Sequence, residues 1–202
     1  YKLVGEPFIN IVQNIYVHTP AWVTQLQQNL IGDVYSGYMM PPTPFAGNSN
    51  NMNYNLVDGW NTSAWNPSYQ NVMAPGLDVK NNAGDEFPEF IAWLKIVQVT
   101  AMHRVTDMFG PIIYDNFGQV EADGTIAYEC QEDVYNAFFR DLEEAITTLT
   151  AFEAANPGQT PFAQFDEVYA GDLTKWIQFA NSMRLRLAIR VSKVNPAKAK
   201  ME

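Results

Sequence analysis

Little in this sequence could carry out a chemical reaction. It has one cysteine, Cys130, so no internal disulfide can form, though that alone does not fix the compartment. It has two histidines, His18 and His103, far apart, and no H-E-x-x-H or comparable metal-ligand spacing. There is no G-x-S-x-G nucleophile elbow and no glycine-rich phosphate loop. Asp115, Asn116, Asp123 and Gly124 superficially suggest calcium, but their spacing is not that of an EF-hand. No run of eighteen apolar residues is present, so no helix is expected to cross a membrane. The first residues, Tyr1-Lys2-Leu3-Val4-Gly5-Glu6, do not form a signal peptide. The chain is also short of charge: 17% of residues are charged, and the net charge is −10. An acidic surface repels phosphate backbones, which argues against a nucleic-acid partner. No metal and no cofactor are expected.

What the chain does have is an ample core. Of its 202 residues, 47% are apolar, enough for one sizeable domain and too many for a disordered chain. The apolar residues repeat mostly at helical spacing. Phe8, Ile9, Ile11, Val12, Ile15 and Tyr16 suggest a first short helix. Thr19-Pro20 reads as the cap and first turn of a second, with Trp22, Val23, Leu26, Leu30 and Val34 as its stripe and Gly37 as its stop. The pair Trp65 and Tyr69, at i,i+4, marks another start. A long helix is expected from Pro88 to Gly110-Pro111, with Phe90, Ile91, Leu94, Val97, Ala101, Val105 and Met108 on its buried stripe. Ile112-Ile113-Tyr114 reads as a short strand or connector. Gln131 opens a further helix that buries Tyr135, Phe138, Leu142, Ile146 and Leu149 and ends at Asn156-Pro157-Gly158. Asp172 caps one through Leu173, Trp176, Ile177, Ala180, Leu187 and Val191. Asn195-Pro196 starts another, which stops at Glu202, so residues 1–202 read as a single helical domain cut short on its C-terminal side. The fold class is all-α: paired helices with long loops and at most short strands. Helix starts recur at roughly forty residues, loosely the spacing of helical repeats, without the tetratricopeptide consensus letters.

Between residues 41 and 66 the composition changes. Pro41-Pro42-Thr43-Pro44 and the asparagine-rich 48–55 oppose helix, yet Phe45, Tyr54, Trp60 and Trp65 lie among them. Long loops in compact domains are often functional. The candidate ligand-binding residues are therefore Trp60, Trp65, Tyr69 and Tyr54, with local packing as the competing role. Each ring stacked on a sugar face would contribute roughly 0.5–1.5 kcal/mol, so three give binding near the millimolar range. Trp22, Trp93 and Trp176 fall within helices and read as packing or helix-face residues. Arg184, Arg186 and Arg190 read as helix-surface ion pairing rather than an anion site, and His103 as a packed histidine. A glycosidase needs two carboxylates facing across a cleft, and among the 22 acidic residues the sequence singles out no such pair.

Several segments stand in order along the chain. They are Gln27-Gln28-Asn29-Leu30-Ile31-Gly32-Asp33-Val34-Tyr35, the helix end Ala101-Met102-His103-Arg104-Val105-Thr106-Asp107-Met108-Phe109-Gly110-Pro111-Ile112-Ile113-Tyr114, and the helix carrying Asp141-Leu142-Glu143-Glu144-Ala145-Ile146. To these are added Tyr169-Ala170-Gly171-Asp172-Leu173-Thr174-Lys175-Trp176 and the arginine-bearing stretch Phe179 to Ser192. Together they resemble the SusD/RagB family. The resemblance implies tetratricopeptide-like helix pairs in a binding lipoprotein rather than an enzyme. It implies a position on the outer face of the outer membrane of a Gram-negative cell, over a TonB-dependent, SusC-like transporter. Ligands of such proteins are commonly glycans, peptides in some members. The family's lipid-bearing cysteine lies near the mature N-terminus, so Cys130 does not match it, and the anchor would lie outside this chain. The competing readings are a helical scaffold without a small-molecule site and a carbohydrate-active enzyme.

Overall fold

The computed structural model describes residues 1–15, 21–40, 42–43, 51, 54–55 and 57–202. His18, the Thr19-Pro20 helix start, Phe45 and most of the proline- and asparagine-rich stretch lie outside the described residues. Helix α1 is Lys2–Gln13. Helix α2 runs without a break through Ala21–Thr24, Gln25–Gly32 and Asp33–Ser36, and stops at Gly37, whose φ of 74° is the left-handed turn that glycine supplies at least cost. A single turn, α3, covers Asp58–Asn61. Helix α4 joins Trp65–Ser68, Tyr69–Met73 and Ala74–Ala83. Then come α5 (Pro88–Phe109), α6 (Gln131–Ala155), α7 (Leu173–Val191) and α8 (Pro196–Met201). The all-α class holds: among the described residues the extended pairing is a single antiparallel bridge, Ile112 to Glu129.

The local chemistry explains most boundaries. Asp172 accepts a hydrogen bond from the Lys175 N–H at 3.0 Å and Asn195 one from Lys198 at 3.0 Å, which satisfies donors that helix starts leave open. The middle of α4 is wound with the wider π pitch over Tyr69–Met73, immediately before Pro75. In a regular α-helix the Pro75 ring would strike the Asn71 carbonyl, and widening the turn relieves that clash without ending the helix.

Helix α5 is the axis of the molecule and packs against α1, α4, α6 and α7. Expected to bury one stripe, it is buried around nearly its whole circumference from Phe90 to Thr106. Only at its exit does the expected stripe fail: Met108 is 45% exposed. At the centre, Trp93 lies flat between Phe8 (ring centroids 4.0 Å apart, planes 4° apart) and Phe162 (4.4 Å, 13°), with Trp176 edge-on at 5.6 Å. Of the two roles expected for Trp22, packing or helix face, the structure shows the second: it is 58% exposed, because α2 turns Val23 and Gln27 inward.

The polar residues on α5 mostly serve its packing. His103 is fully buried; its Nδ1 lies 3.2 Å from the Val99 carbonyl, and its Nε2 accepts from Arg186 Nε at 3.3 Å. Burial pushes the imidazole down to about 4, against an unfolded value of about 6.5. Between those values the unfolded chain takes up a proton that the folded one refuses. This contribution to stability is therefore complete above pH 6.5, is lost as pH falls, and levels off below 4. Urea unfolding at pH 7, 5.5 and 4.5 should show that decline, and a His103→Gln variant should lose this component; an identical slope in the variant would assign the decline to other groups. The neighbouring arginines have separate structural partners: Arg190 pairs with Asp107 at 2.6 Å and Arg184 with Glu202 at 2.5 Å.

Candidate ligand-binding surface

Four rings form a row along one side of the molecule, and a fifth braces it. Trp65 and Tyr69, one turn apart on α4, have centroids 4.8 Å apart. Tyr128, from the connection between α5 and α6, lies 5.9 Å from Trp65 with its plane tilted by 22°. Phe117, from the same connection, lies 5.7 Å from Tyr69. Phe109, the last residue of α5, stands edge-on to Trp65 at 5.3 Å. Trp65, Tyr69 and Phe117 are half-buried and rest on the core, whereas Tyr128 is 59% exposed. The row thus has a fixed base and an open outer edge.

The connection that carries Tyr128 and Phe117 is tied down at three places. The Tyr69 hydroxyl donates to the Ile113 carbonyl at 2.7 Å and accepts from the Ile113 N–H at 3.0 Å, and burial raises the phenol well above its ordinary range. The Arg140 guanidinium grips both oxygens of Asp115, at 2.9 and 2.8 Å, from α6. The Glu129 carboxylate accepts the backbone N–H groups of Tyr114 (2.6 Å), Asp115 (3.0 Å) and Asn116 (3.4 Å). Glu129 directly follows Tyr128, so this cradle also sets where that ring emerges. Rings held this way lose little freedom when a ligand arrives.

These contacts also account for the residues that suggested a cation. Asp115 is held by Arg140, and Asp123 accepts from the Thr125 N–H and hydroxyl at 3.0 and 2.7 Å. Among the described residues no group of three or more His, Cys, Asp or Glu gathers as metal donors.

Of the four residues singled out from the sequence, Trp65 and Tyr69 come together in this row. Tyr54 does not join them. It is 80% exposed, adopts a φ of 56° unusual for a tyrosine, and its ring lies 5.8 Å from that of Tyr35 on α2. Trp60 is half-buried in the single turn α3 and is not one of the rings of the row. The sequence reading missed Tyr128, Phe109 and Phe117, because nothing in the spacing of a connection between helices says which earlier helix it will touch.

A model of the family described as SusD-like, SusD and RagB outer-membrane lipoprotein, matches residues 1–202. No curated protein matches the chain. Among solved structures, a chitin-binding SusD homologue from Flavobacterium johnsoniae is 43% identical, with a TM-score of 0.90, over 98% of this chain and 41% of its own. A SusD homologue from Bacteroides vulgatus is 33% identical, with a TM-score of 0.84, over 96% of this chain and 40% of its own. A third structure, described as a chitin-binding protein, is 29% identical, with a TM-score of 0.76, over 98% of this chain and 41% of its own. The chain thus spans about two fifths of the length of the structures it matches.

Proposed function

The chain belongs to the SusD-like family of SusD and RagB outer-membrane lipoproteins, and on that premise we propose that it captures oligosaccharides at the cell surface. In this reading it passes them to a TonB-dependent, SusC-like barrel in the outer membrane. It is a binding protein and not an enzyme. It is held at the outer membrane by a lipid anchor, as the family's description as lipoproteins suggests; no helix among its described residues is long and apolar enough to cross a membrane.

The observation that carries the proposal is the row of braced rings ending in the exposed Tyr128. A pyranose presents apolar C–H groups on one face, and these stack on aromatic rings. The two carboxylates nearest the row in sequence, Asp115 and Glu129, are engaged internally, which suits an uncharged ligand. That two of the similar structures are named chitin-binding makes chitin fragments the first ligands to test.

Isothermal titration with chitin oligosaccharides of two to six units, alongside cello- and malto-oligosaccharides, should give weak binding near the millimolar range. Trp65→Ala and Tyr128→Ala should each reduce affinity roughly two- to twelve-fold, the equivalent of one ring stack. Saccharide binding that neither variant disturbs would move the site away from this row. Peptide binding with no saccharide binding would replace the glycan by a peptide.

A further inference from the structure

On the other side of the start of α4 lies a groove of about 280 Å³ between α2, α3 and α4. That is close to the lower end of ligand pockets, roughly 300 Å³. Its lining includes Trp22, Thr62, Ser63, Asn66, Gln70 and Asn71 and contains no charged residue.

Three features indicate a prepared site. First, Trp22 is 58% exposed at the edge of the groove, a large apolar ring that packing alone does not explain. Second, the Asn66 and Gln70 side chains, one turn apart on α4, are exposed and make no hydrogen bond to the described residues. Third, Ser63 is 7% exposed, and its hydroxyl is buried without a partner. Buried hydroxyls are nearly always satisfied, and those that are not call for an explanation such as a ligand or a trapped water.

The surroundings hold the groove open. The buried Gln27 side chain, on α2, donates to the Ser63 carbonyl at 2.6 Å, and its own carbonyl oxygen accepts from Arg104 of α5 at 3.4 Å. Asn71 donates to Asn14, at the end of α1, at 3.2 Å.

We infer that this groove is a second saccharide subsite, with Trp22 as its stacking platform and Asn66, Gln70 and Ser63 as its hydrogen-bonding groups. The inference rests on the glycan-capture reading and extends it. Asn66 and Gln70 follow Trp65 and Tyr69 by one residue each, about 100° around the same helix. A chain of several sugar units crossing the first turns of α4 would therefore engage the ring row and then the groove, whereas a disaccharide would occupy one or the other. Affinity should rise steeply with chain length, because a second linked contact adds without a second cost of association.

The test follows the five tryptophan indole N–H signals by NMR, assigned through single Trp→Phe variants, during titration with chitin, cello-, malto- and manno-oligosaccharides of two to six units. The expected result is a saturable shift of the Trp22 signal together with that of Trp65 when the hexasaccharide binds. Trp22→Ala should weaken hexasaccharide binding by roughly two- to twelve-fold and flatten the dependence on length. Trp22 lies outside the core, so its thermal unfolding midpoint should stay near that of the parent. A shift at Trp65 with none at Trp22 overturns the groove and leaves the ring row standing. A shift at Trp22 alone supports the groove and removes the ring row. No shift at either with any of the sugars overturns both.

Discussion

Replacing Asp166 by alanine is expected to destabilise the protein by on the order of 3–5 kcal/mol. Asp166 is 4% exposed and lies in the segment between α6 and α7. Its carboxylate accepts four N–H groups: Val168 at 2.9 Å, Tyr169 at 3.1 Å, Gly171 at 2.8 Å and the Trp176 indole at 2.7 Å. The last two bonds are buried, and leaving a buried donor unsatisfied costs about 1–3 kcal/mol. The carboxylate also holds the turn in which Ala170 takes a φ of 52° and Gly171 one of 77°. At Gly171 a side chain would meet the Ala163 backbone at 2.8 Å, so the turn admits only glycine there. In a chain of this size the loss corresponds to roughly 6–20 °C in the unfolding midpoint. Asp166→Asn keeps the shape but points an N–H₂ group at donors, so it should recover little. A double-mutant cycle with Trp176→Phe should show coupling above about 0.5 kcal/mol. A loss below 1 kcal/mol, or simple additivity with Trp176→Phe, would refute this role.

Trp93→Ala should cost about as much for a different reason. The indole fills the middle of the Phe8–Trp93–Phe162 stack at full burial, and truncating a buried tryptophan costs about 3–5 kcal/mol through lost contacts and the cavity left behind. The stack joins α1, α5 and the segment after α6, so its loss loosens three parts of the fold at once. The indole N–H has no partner in this apolar setting. Trp93→Phe therefore removes an orphaned donor along with the volume, and it should be clearly milder than alanine. Denaturant unfolding of both variants measures the difference. Equal losses would mean that volume and stacking are not what this position supplies.

Neither residue is part of the proposed ligand surface, and together they explain how a weak-binding site can be well ordered. Trp93 anchors α5, whose last residue, Phe109, supports Trp65, and Asp166 holds the approach to α7, which packs on α6. Arg140 of α6 in turn holds the connection bearing Tyr128.

Much of the helix pattern was legible in the sequence. The i,i+4 pair Trp65 and Tyr69, the Gly110-Pro111 stop, and the caps Asp172 and Asn195 act through neighbours a few residues away, so one chain read alone suffices. Burial was legible where a helix has one covered face, as α6 does. It failed for α5, whose exposure depends on how many partners surround it, and for Trp22, where the inward face of α2 falls on Val23 and Gln27.

The sequence by itself determined that this is an all-α chain, where most helices begin and end, and, through its resemblance, which family it belongs to. Only the tertiary structure decided which aromatics act together. The Tyr69 hydroxyl finds Ile113 across 44 residues of sequence, and with that contact Phe117 is drawn up to Tyr69 and Tyr128 to Trp65, while Tyr54 turns to Tyr35. Helix starts and stops are written in local hydrogen bonds and steric limits, whereas the partner of a connecting segment is fixed by the closure of the whole core, which no local pattern of residues records.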